Sequence, residues 1–216
     1  MFSSSSLNRF GAIGVQMINQ GLIWLSLGFS GNNRLCVNIN DSINNMVIFS
    51  PLSIRQECIL TRWYSFQFKQ MNDSIIIDCL ESPRIARKRL LTAHSEGFRN
   101  IMIIHPYELF KGVKTAFKKH LITNALNEIM HDDNIHVFII ESFRSDDKFI
   151  GDLSSSCDSV MTVGTMTPMK SQIAFGNANA NNIKGNWHAY ASIKGLKSFG
   201  FSIKDHIPPS LLTKAA

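Results

Sequence analysis

A segment near the N-terminus has part of the spacing of a phosphate-binding loop. Such a loop reads G-x-x-x-x-G-K-[ST] between a strand and a helix, and its backbone N–H groups, lysine and hydroxyl hold phosphates and Mg²⁺. Gly28, Gly31 and Arg34 are the candidate phosphate ligands, whereas Asn33 replaces the second motif glycine and Leu35 replaces the hydroxyl. Because a planar guanidinium is a poor substitute for a compact ammonium, we interpret the segment as an ordinary turn or a degenerate phosphate loop, and we expect no cofactor.

Two acidic residues follow predicted strands and could serve as magnesium ligands or as bases. Asp78 comes after the run 74–77 and Glu141 after the run 137–140, whereas His105 follows the run 101–104 and brings no carboxylate. Ligands of parallel sheets bind outside the carboxyl ends of the strands, yet an acid after a strand is also a common cap or turn former. With no lysine-bearing loop to act with them, both acids are expected to be structural. We predict no catalytic residue and no metal site.

Basic residues cluster in two of the predicted helices. Arg84, Arg87 and Lys88 lie in the first, Lys114 and Lys118 lie in the second, and the whole chain has 22 Lys and Arg against 16 Asp and Glu, a formal net charge of +6. This pattern is compatible with nucleic-acid binding. Solvated helix faces are the simpler explanation, because few aromatic side chains are interleaved with these charges.

The elements that must position these residues alternate along the chain. Short apolar runs, apolar on consecutive positions, are typical of strands covered on both faces; they span 22–27, 46–49, 74–77, 101–104, 137–140 and 160–163. Helix-length segments lie between them at 53–69, 83–96 and 111–130, the second with Ser82 as N-cap and the third with Phe117 and Leu121 on its apolar stripe. Alternating strands and helices predict an α/β fold with a mostly parallel sheet flanked by helices.

The two ends of the chain have different patterns. Residues 7–20 are predicted to form a helix, in which Phe10, Ile13 and Met17 are a candidate partner surface. After residue 150, strands are predicted at 159–165, 172–176 and 188–195, and turn-forming residues 177–185 join the last two into a C-terminal antiparallel hairpin. We predict a single domain over 1–216, with an N-terminal helix at 1–20, a parallel core at 21–150 and terminal strands at 151–216.

Composition limits the class of protein. With 44% hydrophobic and 18% charged residues, the chain is not expected to be disordered. Its four cysteines have no C-x-x-C spacing, which argues against a zinc knuckle or a disulfide-stapled fold. Because no stretch supplies about 20 mainly apolar residues, we predict a cytoplasmic protein without an integral membrane segment.

The order of the predicted elements resembles the RecA-like branch of the P-loop ATPases. In that branch a helix-flanked parallel core ends in a strand that begins Asp-Ser-Val, followed by an antiparallel hairpin. Residues 157–163 (CDSVMTV), followed by the predicted strands at 172–176 and 187–194, are similar to that ending. The resemblance implies a RecA-like fold over most of the chain.

The resemblance also implies a type of function. Members that lack the lysine and hydroxyl of the phosphate loop are typically subunits of larger assemblies rather than ATPases. Examples are the N-terminal domain of the bacterial cellulose secretion regulator, accessory Elongator subunits, recombination mediators and division inhibitors related to RecA. The expected function is therefore a non-catalytic interaction or regulatory subunit of a bacterial assembly, such as one for exopolysaccharide secretion, working as a homo- or hetero-oligomer.

Two alternatives stay open. The first is a nucleic-acid-binding accessory of recombination or repair that uses the basic helices. The second is an enzyme with an unconventional nucleotide-binding loop, in which Arg34, Asp78 and Glu141 would be the residues to mutate.

Overall fold

A seven-stranded mixed sheet forms the centre of the computed structural model. The structure describes residues 13–17, 23–27, 45–50, 58, 60–62, 65, 68–69, 73–142, 145–183, 187–193 and 198–202. Its strand order is β4-β5-β6-β3-β7-β8-β9, with β3 Asn45–Ser50, β4 Ser74–Asp78, β5 Asn100–Ile104, β6 His136–Ser142, β7 Ser159–Val163, β8 His188–Ile193 and β9 Phe199–Ser202. The first five strands in this order are parallel, and β8 and β9 add antiparallel to the β7 side.

In the described part of the chain, four α-helices are defined from end to end, and each begins after an N-cap side chain. Helix α1 is Pro83–Ala93, and its N-cap Ser82 accepts a hydrogen bond from the Ile85 N–H. Helix α2 is Ala116–Met130, capped in the same way by Thr115. Helices α3 and α4 are Asp147–Ser156 and Pro168–Phe175. Short 3₁₀ helices lie at Pro106–Phe110 and Asn179–Asn182, and the described positions 58, 60–62, 65 and 68 between β3 and β4 are helical.

The pleat of the sheet divides its core into two layers. Val47, Ile103 and Ile139 are buried together with the apolar sides of α1 to α4. The residues between them in sequence face the other way. There the hydroxyl of Ser65, one of the described helical positions between β3 and β4, lies 3.9 Å from the sulfur of Met102. Five consecutive buried residues in β5 and in β7 fit this arrangement. The predicted α/β sheet with flanking helices and a terminal antiparallel hairpin is confirmed.

The N-terminal helix predicted over 7–20 is wrong where the structure describes it. Strand β1, Ile13–Met17, pairs antiparallel with β2, Ile23–Leu27, in a separate two-stranded sheet. Ile13, Val15 and Met17 also fit the two-residue alternation of a strand, and two of them are β-branched, which favours the strand. The proposed partner surface on a helix therefore has no helix beneath Ile13 and Met17, and Phe10 lies outside the described residues.

The predicted strand at 172–176 is also wrong. These residues belong to α4 and its C-cap: Thr167 caps the N-terminus, Pro168 occupies the first turn, and Gly176 ends the helix with φ +68°. Threonine, proline and glycine at these positions are strong helix start and stop signals. The C-terminal hairpin is formed instead by β8 and β9.

The apolar stripe predicted on the third helix is partly wrong. Phe117 is 71% exposed and Leu121 is 40% exposed, whereas the buried side of α2 carries Ile122, Ala125 and Ile129. The buried residues Ile122, Ala125 and Ile129 follow the helical spacing one residue later than Phe117 and Leu121, so the stripe was assigned with the wrong phase.

Candidate binding site at the carboxyl end of the sheet

The strand order places a crevice at the carboxyl end of β3 and β6. From β3 the chain crosses to the far edge strand β4 and returns through β5 to β6; from β6 it passes β3 to reach β7 on the other side. Connections from neighbouring strands therefore leave in opposite directions, and such a switch point is where open α/β sheets bind ligands. Any site of the predicted kind must be assembled from the residues that follow these strands.

Glu141, at the end of β6, is held by three hydrogen bonds from the chain. It is 1% exposed. Its Oε1 accepts hydrogen bonds from the Ser142 N–H at 2.6 Å and the Ser145 hydroxyl at 2.8 Å, and its Oε2 accepts one from the Tyr107 N–H at 2.9 Å. The carboxylate thus joins the loop that follows β5 to the loop that follows β6. A buried carboxylate with this many donors is stabilised in place.

His105 follows β5 and completes this cluster. It has φ +55° and ψ +58°, a left-handed conformation uncommon outside glycine and asparagine. Its backbone N–H donates to the Ile140 carbonyl at 2.7 Å, and its Nδ1 lies 3.5 Å from Glu141 Oε1. These contacts hold the chain where it turns from β5 into the 3₁₀ helix. His105 and Glu141 therefore act together to shape the two loops.

Lys170 of α4 extends the network to the helices. Its ammonium donates to the Ser145 carbonyl at 2.8 Å and pairs with Asp147 Oδ1 at 3.1 Å. Glu141 and Lys170 of α4 therefore both bond to Ser145. Ser145 directly precedes α3, whose N-cap Asp146 accepts a hydrogen bond from the Phe149 N–H at 2.8 Å.

Asp78, the other acid predicted at a strand end, does not join Glu141. It pairs in register with Ile104, which pairs with Ile140, so Glu141 stands one residue further along and on the opposite side of the pleat. Asp78 accepts a hydrogen bond from the Leu80 N–H at 2.9 Å and lines a cavity of about 590 Å³ with Arg62. The two carboxylates that were candidates for one metal or acid–base site are on different faces of the sheet.

Gly28, Gly31 and Arg34, the residues of the predicted phosphate loop, lie outside the described residues. The strand before it, β2, pairs with β1 and not with the parallel sheet. The segment that follows the switch-point strand β3 is instead 51–57, with the sequence Pro-Leu-Ser-Ile-Arg-Gln-Glu. It contains neither a glycine nor a lysine, the residues that a phosphate loop needs. The sequence alone missed this position because strand order is not visible in it.

The predicted nucleic-acid residues divide into two groups. Arg87 is fixed, because its Nε donates to the Leu109 carbonyl at 2.7 Å and its terminal nitrogen donates to the Lys111 carbonyl at 2.6 Å. Arg84, Lys88, Lys114 and Lys118 are exposed. Lys114 precedes α2 rather than belonging to it.

Solved structures with similar folds are those of DNA-handling ATPases and a coupling protein. The conjugation coupling protein TcpA of pCW3, solved as a monomer with ATPgS, matches 82% of this chain at 14% identity with a TM-score of 0.53, and the match spans 66% of that protein. The genome packaging NTPase of Sulfolobus turreted icosahedral virus 2, solved with sulfate, matches 74% of this chain and 96% of its own at 12% identity, with a TM-score of 0.51. The chain has the same type of α/β fold as these proteins. At these identities the likeness concerns the fold alone.

The other comparisons add no closer relation. No family model matches the sequence, and no curated protein is significantly similar to it. The predicted α/β fold is thus shared with solved structures, whereas membership of the P-loop superfamily and the relation to the cellulose secretion regulator stay predictions. Within the described part of the chain, no helix is long and apolar enough to cross a membrane.

Proposed function

We propose that the chain is a non-catalytic interaction subunit with a P-loop NTPase fold. The observation that carries the proposal is the segment after β3, which offers no glycine and no lysine to a nucleotide. Without glycines the backbone cannot wrap a phosphate closely, and without lysine the charge of the terminal phosphates is not balanced from the loop.

The chemistry of Glu141 supports the same proposal. An acid at this end of the sheet could hold Mg²⁺ or activate water, but both tasks need accessible oxygen lone pairs. Both oxygens of Glu141 already accept hydrogen bonds from the protein, and the side chain is buried. The carboxylate therefore serves to hold two loops, and the surface that these loops form is available for a partner.

The competing function is ATP hydrolysis, because a matched neighbour is described as a genome packaging NTPase. The test is phosphate release from Mg-ATP by the purified chain, compared with Glu141→Gln and with buffer. We expect all three rates to be equal. Release by the unmodified chain that Glu141→Gln abolishes would overturn the proposal.

The assembly in which such a subunit works is the second part of the proposal. Exopolysaccharide secretion is one candidate; DNA transfer or packaging is another, since the similar structures include a conjugation coupling protein and a DNA-packaging ATPase. Native mass spectrometry of a tagged chain isolated from its own cells, with cross-linking before lysis, would distinguish a stoichiometric complex from a monomer. A monomer in both conditions would contradict the proposal.

Nucleic-acid binding is a second candidate function, favoured by the exposed cations Arg84, Lys88, Lys114 and Lys118 and by the sequence pI of about 9.3. Lysines that meet phosphates release counterions, so binding should weaken steeply with salt. We expect Lys114→Ala with Lys118→Ala to weaken binding of a single-stranded oligonucleotide at low salt, with Lys69→Ala on the other face of the sheet as the matched control. Binding that is independent of salt, or equal in both variants, would exclude this surface.

A further inference from the structure

A groove between α2 and α3 has the composition of a small-molecule site. Its volume is about 640 Å³, and its walls come from α2, from α3 and from the residues of the 3₁₀ helix at Pro106–Phe110. Pockets that bind small molecules span about 300–1,000 Å³ and are mainly apolar with a few polar groups. The groove lies on the α1–α4 face, beside the loops that Glu141 holds together.

Three aromatic rings form a continuous surface along the groove. Phe149 is central: its ring centroid lies 5.3 Å from that of Tyr107, at an interplanar angle of 56°, and 5.8 Å from that of Phe110, at 70°. Leu126 and Leu153 are buried beneath them. Phe149 and Phe110 are partly exposed, so a flat ligand ring can stack on a surface that the core already supports.

The charged side chains of the groove are of two kinds. Lys111 pairs with Glu108 at 3.1 Å, and Asp146 is close enough to the Tyr107 hydroxyl to raise its pKa. Lys119 on α2 and Lys148 on α3 stand on opposite walls, and within the described part of the chain neither makes an ion pair. Two ammonium groups without a carboxylate partner, placed on either side of an aromatic floor, favour a ligand that is both planar and anionic.

Asp152, on the same wall of the groove as Lys148, favours a ligand that also carries a hydrogen-bond donor. Its carboxylate lines the groove one helical turn further along α3 and can accept hydrogen bonds from a ligand donor such as an exocyclic amine. A planar ring with donors, joined to a phosphate, has all three properties. We propose that the groove between α2 and α3 binds a mononucleotide, with the base on Phe149 and the phosphate between Lys119 and Lys148.

This inference goes beyond the proposed function, because the groove is separate from the segment after β3 and needs no Mg²⁺ or triphosphate. The two can fail independently: ATP hydrolysis tests the segment after β3 and Glu141, whereas monophosphate binding tests the groove.

The experiment is a titration of the purified chain with AMP, GMP, CMP and UMP, followed by two-dimensional NMR, with adenosine and inorganic phosphate as separate arms. We expect at least one monophosphate to bind more tightly than its nucleoside or phosphate alone, with shifts centred on Phe149. Lys119→Ala and Lys148→Ala should each weaken binding by about fivefold, the upper range for a partly exposed ion pair.

The matched control is Lys69→Ala. Lys69 lies on the other face of the sheet and does not line the groove. Its removal should leave the affinity unchanged. Phe149→Leu should keep the apolar contact and lose the stacking, again with weaker binding; its thermal midpoint shows whether the fold survives. No binding of any of the four monophosphates at millimolar concentration, or equal loss in Lys69→Ala and Lys119→Ala, would overturn the proposal.

Discussion

The carboxyl end of the sheet and the groove between α2 and α3 use their charges in opposite ways. Glu141 is buried and its oxygens bind three donors of the chain itself, two of them backbone N–H groups. Lys119 and Lys148, which line the neighbouring groove, form no ion pair with any described residue. The carboxylate at the end of β6 is thus bonded by the chain itself. The cations that are free to contact a ligand line the groove beside it.

Tyr107 connects the two regions. Its backbone N–H donates to Glu141, while its ring packs against Phe149 in the groove. A change in the Glu141 cluster should therefore move the groove as well, whereas a change to a groove lysine should leave the cluster intact. The difference teaches that the position of an acid at a strand end does not establish its role, which depends on how many donors the chain itself supplies.

The largest expected effect is that of Glu141→Ala. It removes the acceptor from the Tyr107 N–H and the Ser145 hydroxyl and leaves His105 facing a cavity, and buried polar groups without partners are costly. We expect a loss of about 3 kcal/mol or more of unfolding free energy, measured by urea denaturation.

Glu141→Gln is the matched control, because it keeps the shape and one acceptor oxygen and should cost clearly less. Asp78→Asn, at the corresponding strand end on the other face, should change stability by less than about 1 kcal/mol, since Asp78 is only partly buried. Equal losses for Glu141→Ala and Asp78→Asn would contradict the contrast between the two acids.

The sequence was sufficient for the class of fold and for several boundaries. Consecutive Ile and Val residues predicted the buried strands β5 and β6, and Ser82 followed by Pro83 predicted the start of α1. These signals are local, and local signals survive in the folded chain when packing agrees with them. The helix predicted over residues 13–17 was wrong because their local signal is ambiguous. The segment fits a helical and a strand period almost equally well.

The candidate site depended on information that no local pattern contains. That β3 lies next to β6, and that Asp78 and Glu141 point to opposite faces, follows from strand order and register between residues far apart in sequence. The phosphate loop was therefore sought after β2, a strand that joins a different sheet. Glu141 was found because it ends a strand, but its hydrogen-bond donors come from two loops and could not be assigned beforehand.

Arg87→Ala is expected to have the second largest effect. Arg87 appeared in the sequence as a candidate nucleic-acid ligand, yet its guanidinium donates to the carbonyls of Leu109 and Lys111 and ties α1 to the loop before α2. Charged donors to backbone carbonyls contribute about 1.5 kcal/mol or more. We expect a loss of this size in urea denaturation, whereas the exposed neighbour Arg84→Ala should have almost none. Equal effects of the two variants would show that Arg87 is not a structural residue.

Lys170→Met should have a smaller effect. The substitution keeps the length of the side chain and removes its hydrogen bond to the Ser145 carbonyl and its ion pair with Asp147. Because Lys170 is partly exposed, we expect about 1 kcal/mol of lost stability. Ser145 and Asp147 lie at the start of α3, which forms one wall of the groove, so the variant also tests whether Lys170 positions that wall. If AMP binding in the groove weakens along with stability, α3 depends on this contact for its position.

The smallest expected effect is a pH dependence at Tyr107. The hydrogen bond from its hydroxyl to Asp146, together with the negative charge of Asp146, raises the pKa of the phenol above its usual value near 10. A phenol whose pKa is higher in the folded state stabilises the fold fully below the unfolded pKa, and this contribution is lost as the pH rises through the folded pKa. Thermal midpoints of the unmodified chain and of Tyr107→Phe should therefore differ most near neutral pH and converge above pH 10.

Because Asp146 also caps α3 through the Phe149 N–H, the helix should persist in the variant, and circular dichroism should show unchanged helix content. A difference that grows with rising pH would mean that Asp146 does not hold the hydroxyl.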